Sequence, residues 1–391
     1  MSHIEDLIEE LCPNGVEYRP LGQVVEVLPT PRGIARSEYS AGSSYPIVDQ
    51  GQGQGDIVGY TDDFRRVLPG GEHIVFGDHT RAVKWVDMPF AVGADGTKVL
   101  HAVPDVAPKF LYYALCNLQI PDRGYNRHWS VARGLRLPVP PLEVQQEIVR
   151  ILDKFTALEA ELEAELEARR MQYEHYRDNM LTFEDSVTKC ALGDVIENLR
   201  TGLNPRQNFK LNTPGALNRY ITVRELAGFT IQTTEKTDRV DDDGLALIQA
   251  RSRLQADDVL FSGTGTIGRT ALITEKPRDW NIKEGVYALT PNQERIVPRF
   301  LIHLLHSSSV RGQILRSADG STVASISMAS LRRIMLPVPN LEDQYRLVTL
   351  LDGFESLVND LSVGLPAELA ARRKQYEYYR DRLLTFKELA A

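Results

Sequence analysis

Cysteine is scarce in this sequence, and the three that occur, Cys12, Cys116 and Cys190, are far apart and form no C-x-x-C pair. That excludes a disulfide scaffold and a structural zinc site, and it points to a reducing compartment. No stretch approaches about 18 uninterrupted apolar residues, so no membrane-spanning helix is expected. The opening Met1-Ser-His-Ile-Glu-Asp-Leu-Ile-Glu-Glu10 is acidic and lacks the basic-then-apolar order of a signal peptide. A cytoplasmic protein is therefore expected. Positive charge is also in deficit, with 45 Lys and Arg against 53 Asp and Glu. A net charge of -8 speaks mildly against nucleic acid until the count is repeated by segment.

The signatures of catalysis are missing as well. There is no G-x-x-x-x-G-K-[ST] phosphate cradle and no H-E-x-x-H metal motif. No Lys follows a carboxylate by two residues, the spacing common in restriction-type nucleases, and the Asn/Asp-Pro-Pro-aromatic loop of amino-methyltransferases does not occur. Gly263-Thr-Gly-Thr-Ile-Gly268 fits G-x-G-x-x-G, but a dinucleotide site needs a helix directly after it. Arg269-Thr-Ala-Leu-Ile-Thr274 is short and β-like instead, so a tight hairpin is expected. Asp78-His79 gives no triad signal, and His303 and His306 on an apolar helical patch read as core or surface histidines. The chain is expected to be non-catalytic, with no metal and no cofactor of its own. One rival is an enzyme that holds a nucleotide on the Gly263 loop. Another is a coiled-coil scaffold that never touches DNA.

What the sequence does have is an internal repeat. Leu137-Pro-Val-Pro-Pro-Leu-Glu-Val-Gln145 returns as Leu336-Pro-Val-Pro-Asn-Leu-Glu-Asp-Gln344, 199 residues later. Each copy runs on through Leu-Asp-x-Phe, at Leu152 and Leu351, to a second block. These blocks are Ala168-Arg-Arg-Met-Gln-Tyr-Glu-His-Tyr-Arg-Asp178 and Ala371-Arg-Arg-Lys-Gln-Tyr-Glu-Tyr-Tyr-Arg-Asp381, and both end in Leu-Thr-Phe. A fainter echo opens each half, Val16-Glu-Tyr-Arg-Pro-Leu-Gly22 against Val187-Thr-Lys-Cys-Ala-Leu-Gly193. The chain is a tandem duplication, each copy joining a variable segment to a repeated one.

The repeated segments carry a helical seam. Val144, Ile148, Ile151, Phe155, Leu158 and Leu162 step by fours and threes, and the run Leu158-Glu-Ala-Glu-Leu-Glu-Ala-Glu-Leu-Glu-Ala168 repeats every four residues. Residues 143–185 would span roughly 60 Å as one helix. In the second copy Gly364 and Pro366 predict a break or kink. The variable segments hold short apolar runs such as His73-Ile-Val-Phe and Asp258-Val-Leu-Phe between Gly-rich turns, which predicts strands. Each ends with one helical patch, at 108–116 and at 298–306.

Counted by segment, charge is uneven. Residues 1–136 are net -4, 143–185 net -7, 186–335 net +5 and 336–391 net -2. Both variable segments concentrate cations late. Lys109, Arg123, Arg127, Arg133 and Arg136 face only Asp122, and Arg299, Arg311, Arg316, Arg332 and Arg333 face only Asp319. Two such stretches at the same place in the repeat suggest phosphate contact.

Together the duplicated Leu-Pro-x-Pro boundaries, the Gln-Tyr-Glu-x-Tyr-Arg-Asp-x-x-Leu-Thr-Phe blocks, the opening Cys12-Pro-Asn-Gly-Val-Glu-Tyr18 and the tetrapeptide run resemble the specificity subunits of type I restriction–modification enzymes. The resemblance covers essentially the whole chain. It implies an α+β fold in which two strand-rich target-recognition domains, 1–136 and 186–335, are joined by two long antiparallel coiled-coil helices, 137–185 and 336–391, with pseudo-twofold symmetry. It also implies a non-catalytic reader of double-stranded DNA, each domain taking half of an asymmetric bipartite site while helix length sets the spacer. The implied partners are two methyltransferase subunits and restriction–translocase subunits, and AdoMet, ATP and Mg²⁺ would belong to those partners. A specificity subunit for another bipartite-site modification system is the alternative within the class.

Candidate contacts follow. In the first domain Gln50, Gln52 and Gln54 lie in a Gly-rich loop, and a Gln amide suits adenine. Arg81, Lys84 and Lys98 would flank that loop. Arg123, Tyr125, Asn126, Arg127 and His128 form a polar-aromatic cluster. In the second domain the candidates are Arg200, Asn204, Arg206 and Arg224, then Thr264, Thr266, Arg269 and Lys283, and finally Arg316, Ser321 and Thr322.

Overall fold

The computed structural model describes residues 2–40, 44–52, 56–93, 96–183, 187–206, 208–320, 324–359 and 364–389. The chain divides into two compact units, Met1–Glu163 with Glu368–Ala391, and Ala164–Ala367. Each unit thus combines one variable segment with part of both repeated segments.

In the first unit the strand His73–Gly77 is buried along its whole length, as a short continuous apolar run should be. It sits inside a four-stranded antiparallel sheet in the order Val25–Val27, Thr97–Ala102, His73–Gly77, Val83–Val86. A second sheet pairs Tyr45–Val48 with Ile57–Thr61 and, in parallel, with Phe90–Val92. The helix Pro108–Asn117 starts on proline, whose missing N–H costs nothing at a first turn, and buries Phe110, Leu111 and Leu115 against Phe76 and Leu100. The second unit repeats the plan. Its first sheet runs Ile196–Thr201, Val286–Pro291, Val259–Ser262, Thr270–Leu272, with the helix Pro298–His306 packed into the same core as Phe261 and Leu289. Strand and turn follow Gly263-Thr-Gly-Thr-Ile-Gly268 back into an antiparallel partner, so that motif closes a hairpin and opens no helix.

The Leu-Pro boundaries correct one expectation. Residues 137–139 do not begin a helix. Arg136–Val139 is a strand paired antiparallel with Glu17–Pro20, and Met335–Pro337 pairs with Lys189–Ala191 in the same way. The faint opening echo and the Pro-rich boundary are therefore two edges of one ribbon, present once in each unit. The Leu-Gly step of the echo fits there because the Leu21 and Leu192 amides donate to the carbonyls of Leu135 and Ile334.

Helix Leu142–Met180 follows, 39 residues long and about 58 Å by its rise per residue. It stops before Phe183. Val144, Ile148 and Leu152 are fully buried, whereas Leu158 is exposed. A spacing of four advances about 40° per step around the helix, so Leu158, Leu162 and Leu166 cannot all face one seam. In the first unit Phe155 stacks on Tyr379 at 5.4 Å, and Arg373 reaches both Glu159 and Glu163, so the two helices run in opposite senses. In the second unit Tyr176 stacks on Phe354 at 6.0 Å. The later copy is two helices, Leu341–Asn359 and Gly364–Leu383, in line with the expected break. Pro366 lies in the first turn of the new helix, where it is tolerated.

Two side chains explain why the repeated motifs recur. Gln145 is fully buried; its oxygen accepts from the Ala107 amide (2.7 Å) and its NH₂ donates to Pro140 (2.7 Å) and Asp105 (3.2 Å) carbonyls. Gln344 does the same with Val297 (2.8 Å), Pro339 (2.8 Å) and Arg295 (2.9 Å). Each amide ties the start of a long helix to the start of a domain helix. About two turns on, Asp153 takes Lys109 (3.2 Å) and Tyr113 (2.6 Å), and Asp352 takes Arg299 (3.0 Å) and His303 (2.7 Å). Replacing Gln344 by Leu strands one buried amide and two carbonyls. We expect a loss of about 2–4 kcal/mol of stability, read by chemical denaturation.

The second unit has His303 and His306 where the first has Tyr113 and Cys116, and burial disfavours the charged form of both histidines, which makes this unit acid-sensitive. Burial works against ionised Asp352, yet hydrogen bonds from His303 and Arg299 hold its carboxyl below the usual range. His306 shares a hydrogen bond with the Thr270 hydroxyl (2.7 Å), and burial, with nearby Arg177, pushes it down to about 4 from 6.5. An unfolded chain binds that proton first, so stability falls as pH drops from about 6.5 toward 4. A His306→Asn variant should melt with a visibly flatter pH dependence over that window.

Candidate nucleic-acid interface

The candidate residues of the first unit gather at the turn that follows His73–Gly77. Asp78 is buried, and its carbonyl accepts from the His128 amide (2.7 Å) while its carboxylate accepts from the Trp129 amide (2.7 Å). His128 is itself buried. Its Nδ1 donates to the Asp78 carbonyl (3.0 Å), and its Nε2 accepts from the Arg123 amide (3.1 Å). Arg81, at φ +63, donates to the Ile120 carbonyl (3.0 Å) and to Asp122 (2.9 Å). Gln50 accepts from the His79 amide (2.9 Å), and Gln52 donates to the Thr80 carbonyl. The basic loop 120–128 is thereby fastened onto the hairpin turn. Lys98 stands 4.0 Å from Asp78 and over the Trp129 ring.

Two of these placements correct the sequence reading. Lys84 is buried, held 3.9 Å from Asp49, and His128 is an internal brace, so neither offers a free group to a ligand. Arg123, Tyr125, Asn126 and Arg127 are exposed. Among the described residues no hydrogen bond or ion pair engages the Arg123 or Arg127 guanidinium. Asn126 donates to the Arg123 carbonyl (2.6 Å) and shapes the loop. Gln54 lies outside the described residues.

The second unit builds the corresponding corner. Its hairpin tip is tied to the segment before Met328–Arg332, through Gly265 donating to Ala324 (2.9 Å) and Ile326 donating to Gly263 (2.8 Å). Thr264, Thr266 and Arg269 are exposed on the tip. Beside it lies a groove of about 700 Å³ whose walls include Asn204, Arg224, Arg251, Thr264 and Lys283. Arg224 is paired with Asp238 at 2.6 Å. Arg251 was missed by the sequence reading, because its cationic role depends on a helix, Asp242–Ser252, that folds back to the groove. Arg206 and Arg316 are exposed but do not line it, and Ser321 and Thr322 lie outside the described residues.

Arg200 is a third correction. It holds both oxygens of the fully buried Asp258, at 2.7 and 2.8 Å, and also bonds the Arg253 carbonyl. The late basic stretches are likewise partly spent inside the protein: Lys109 and Arg299 on the helix carboxylates, and Arg136 on Glu388 (2.5 Å).

Comparison with known proteins bears on this geometry. The model of the type I restriction modification DNA specificity domain matches residues 13–168 and 184–371. The chain belongs to this family. It is 31% identical over 415 residues to the EcoR124I/EcoR124II type I restriction enzyme specificity subunit of Escherichia coli, covering 99% of this chain and 97% of that one. It is 26% identical to a putative type I restriction enzyme specificity subunit of Haemophilus influenzae, over 99% and 100%. The fold is shared with the crystal structure of the type I restriction–modification S subunit from M. genitalium, at TM-score 0.52 and 16% identity over 95% of this chain and 96% of that one. A chain from a structure of type I R-M complex assembly and conformational transition gives TM-score 0.54 at 18% identity, over 95% and 98%. The chain is a specificity subunit that recognises DNA within a restriction–modification complex, and specificity subunits are in general non-catalytic. Among the described residues no helix is long and apolar enough to cross a membrane.

Arg127→Ala should weaken DNA binding across sequences and reduce the slope of log affinity against log salt by about one. Arg200→Ala should act differently. It leaves Asp258 buried without its cation, at a cost of about 3–5 kcal/mol, and shows up in thermal melting.

Proposed function

We propose that each unit reads one half of an asymmetric, bipartite DNA site, while the long helices set the spacer between the halves. The observation that carries this reading is the duplicated corner, a hairpin tip fastened to a later loop and dressed with exposed polar and cationic side chains, made from different residues each time. His79, Tyr125, Arg123 and Arg127 dress the first corner, and Thr264, Thr266, Arg269 and Lys283 the second. Unlike corners require unlike half-sites. The mid-helix run 159–167 holds five Glu and no Lys or Arg. Arg373 pairs Glu159 and Glu163 and Arg169 pairs Glu165, and the negative charge left over suits a stretch of DNA that is spanned and not read.

In this reading two methyltransferase subunits dock on the helices and domains, and restriction–translocase subunits join them in the cytoplasm. Catalysis belongs to those partners, which bind AdoMet, ATP and Mg²⁺. The test is base-resolution mapping of methylation in a host carrying this chain with its methyltransferase. A two-part asymmetric motif that vanishes on deletion of this chain is the expected result. Inserting one further Leu-Glu-Ala-Glu unit after Leu158-Glu-Ala-Glu161 adds about 6 Å of helix. It should lengthen the unread spacer by about one to two base pairs and leave both half-sites unchanged.

A further inference from the structure

Tyr125 is the most conspicuous side chain of the first corner that phosphate contact does not explain. It is 86% exposed, well beyond any other aromatic residue described. An apolar ring held in water on a loose loop would mean little, but this loop is built. Asp122 accepts the Gly124 amide (2.8 Å) and is held by Arg81, and Gly124 takes φ +62, a conformation that glycine adopts without strain. Asn126 closes the turn on Arg123, and buried His128 anchors its far end. One face of the Tyr125 ring is stacked on His79, with centroids 4.8 Å apart and planes 12° from parallel. The Tyr125 carbonyl lies 3.1 Å from His79 Nδ1. The ring is therefore fixed in direction and backed by a second ring, with most of its surface open and, two residues away on each side, an arginine whose guanidinium no described residue pairs.

We propose that Tyr125 is an aromatic wedge that stacks on a base at an opened step of the first half-site, with His79 as its backing ring and Arg123 and Arg127 gripping phosphates on either side. This rests on the reading of the first unit as a half-site reader, and it assigns the mode of contact. Pre-fixing the ring removes the ordering cost that a mobile tyrosine would carry into the complex. Wedges of this kind unstack a base step and bend the duplex, and the unstacking is offset by new contacts. The sequence expectation placed a Gln amide at this corner, but the Gln50 and Gln52 amides are engaged by the His79 amide and the Thr80 carbonyl.

The experiment uses the full chain in complex with its methyltransferase, and duplexes carrying the mapped site. Binding is measured for wild type, Tyr125→Phe and Tyr125→Ala over a range of salt, on intact duplexes and on a set with one abasic position moved through the first half-site. Stacking predicts that Tyr125→Ala weakens binding by about 10-fold or more with the salt slope unchanged, and that Tyr125→Phe stays within about twofold of wild type. One abasic position should bind wild type more tightly, and that gain should disappear in Tyr125→Ala. Equal affinity of all three proteins overturns the wedge and leaves the half-site assignment standing. Equal loss in Phe and Ala also overturns it, since the hydroxyl and not the ring would then matter. Failure of wild type to prefer the mapped site removes the reading of the corner and the wedge with it.

Discussion

Everything in this protein depends on fastening long helices to strand-rich domains without slack, and the fastening is made by buried polar side chains. Gln145 and Gln344 have no solvent to fall back on, and a primary amide with three good partners in a dry site has one low-energy arrangement. The carboxylates Asp153 and Asp352 repeat the tie about two turns further on. An apolar seam alone would hold the helices with comparable free energy but less directionality. These amides fix where each long helix begins against its domain.

The duplication serves the same end by a crossed route. The later block of the first copy, 168–178, packs on the second domain, where Tyr173 meets His303 and the Ser308 amide donates to Asp178 (3.1 Å). The end of the second copy, after 371–381, packs on the first domain, where Leu383 and Leu384 enter the core and Tyr18 donates to the Phe386 carbonyl (2.9 Å). Neither copy of the repeat completes its own core. This exchange explains why the repeated blocks match so closely while the segments between them differ: the blocks share one packing task, and the variable segments do not.

Much of this was legible in the sequence because it depends on short-range pattern. The strands 73–77 and 259–262, the helices that start at Pro108 and Pro298, the hairpin at Gly263 and the interruption near Gly364 all follow from periodicity and turn chemistry. Three things were not legible. That Leu137-Pro-Val is a ribbon edge depends on its partner 118 or more residues away. That Arg200, Lys84 and His128 are internal depends on which carboxylate or carbonyl lies opposite, and no local pattern encodes it. Arg251 reaches the groove only because a helix folds back. The exposed members of the first cluster, Arg123 to Arg127, could be picked out because glycine, asparagine and flanking arginines mark a turn with nothing apolar to bury it except Tyr125.

The central claim is that two separate corners hold two separate stretches of DNA. Hydroxyl-radical footprinting of the complex with its methyltransferase tests it most directly, comparing wild type with Arg127→Ala and Lys283→Ala. The account predicts protection in two tracts, with Arg127→Ala opening one and Lys283→Ala the other. Loss of protection in the same tract for both variants would contradict it.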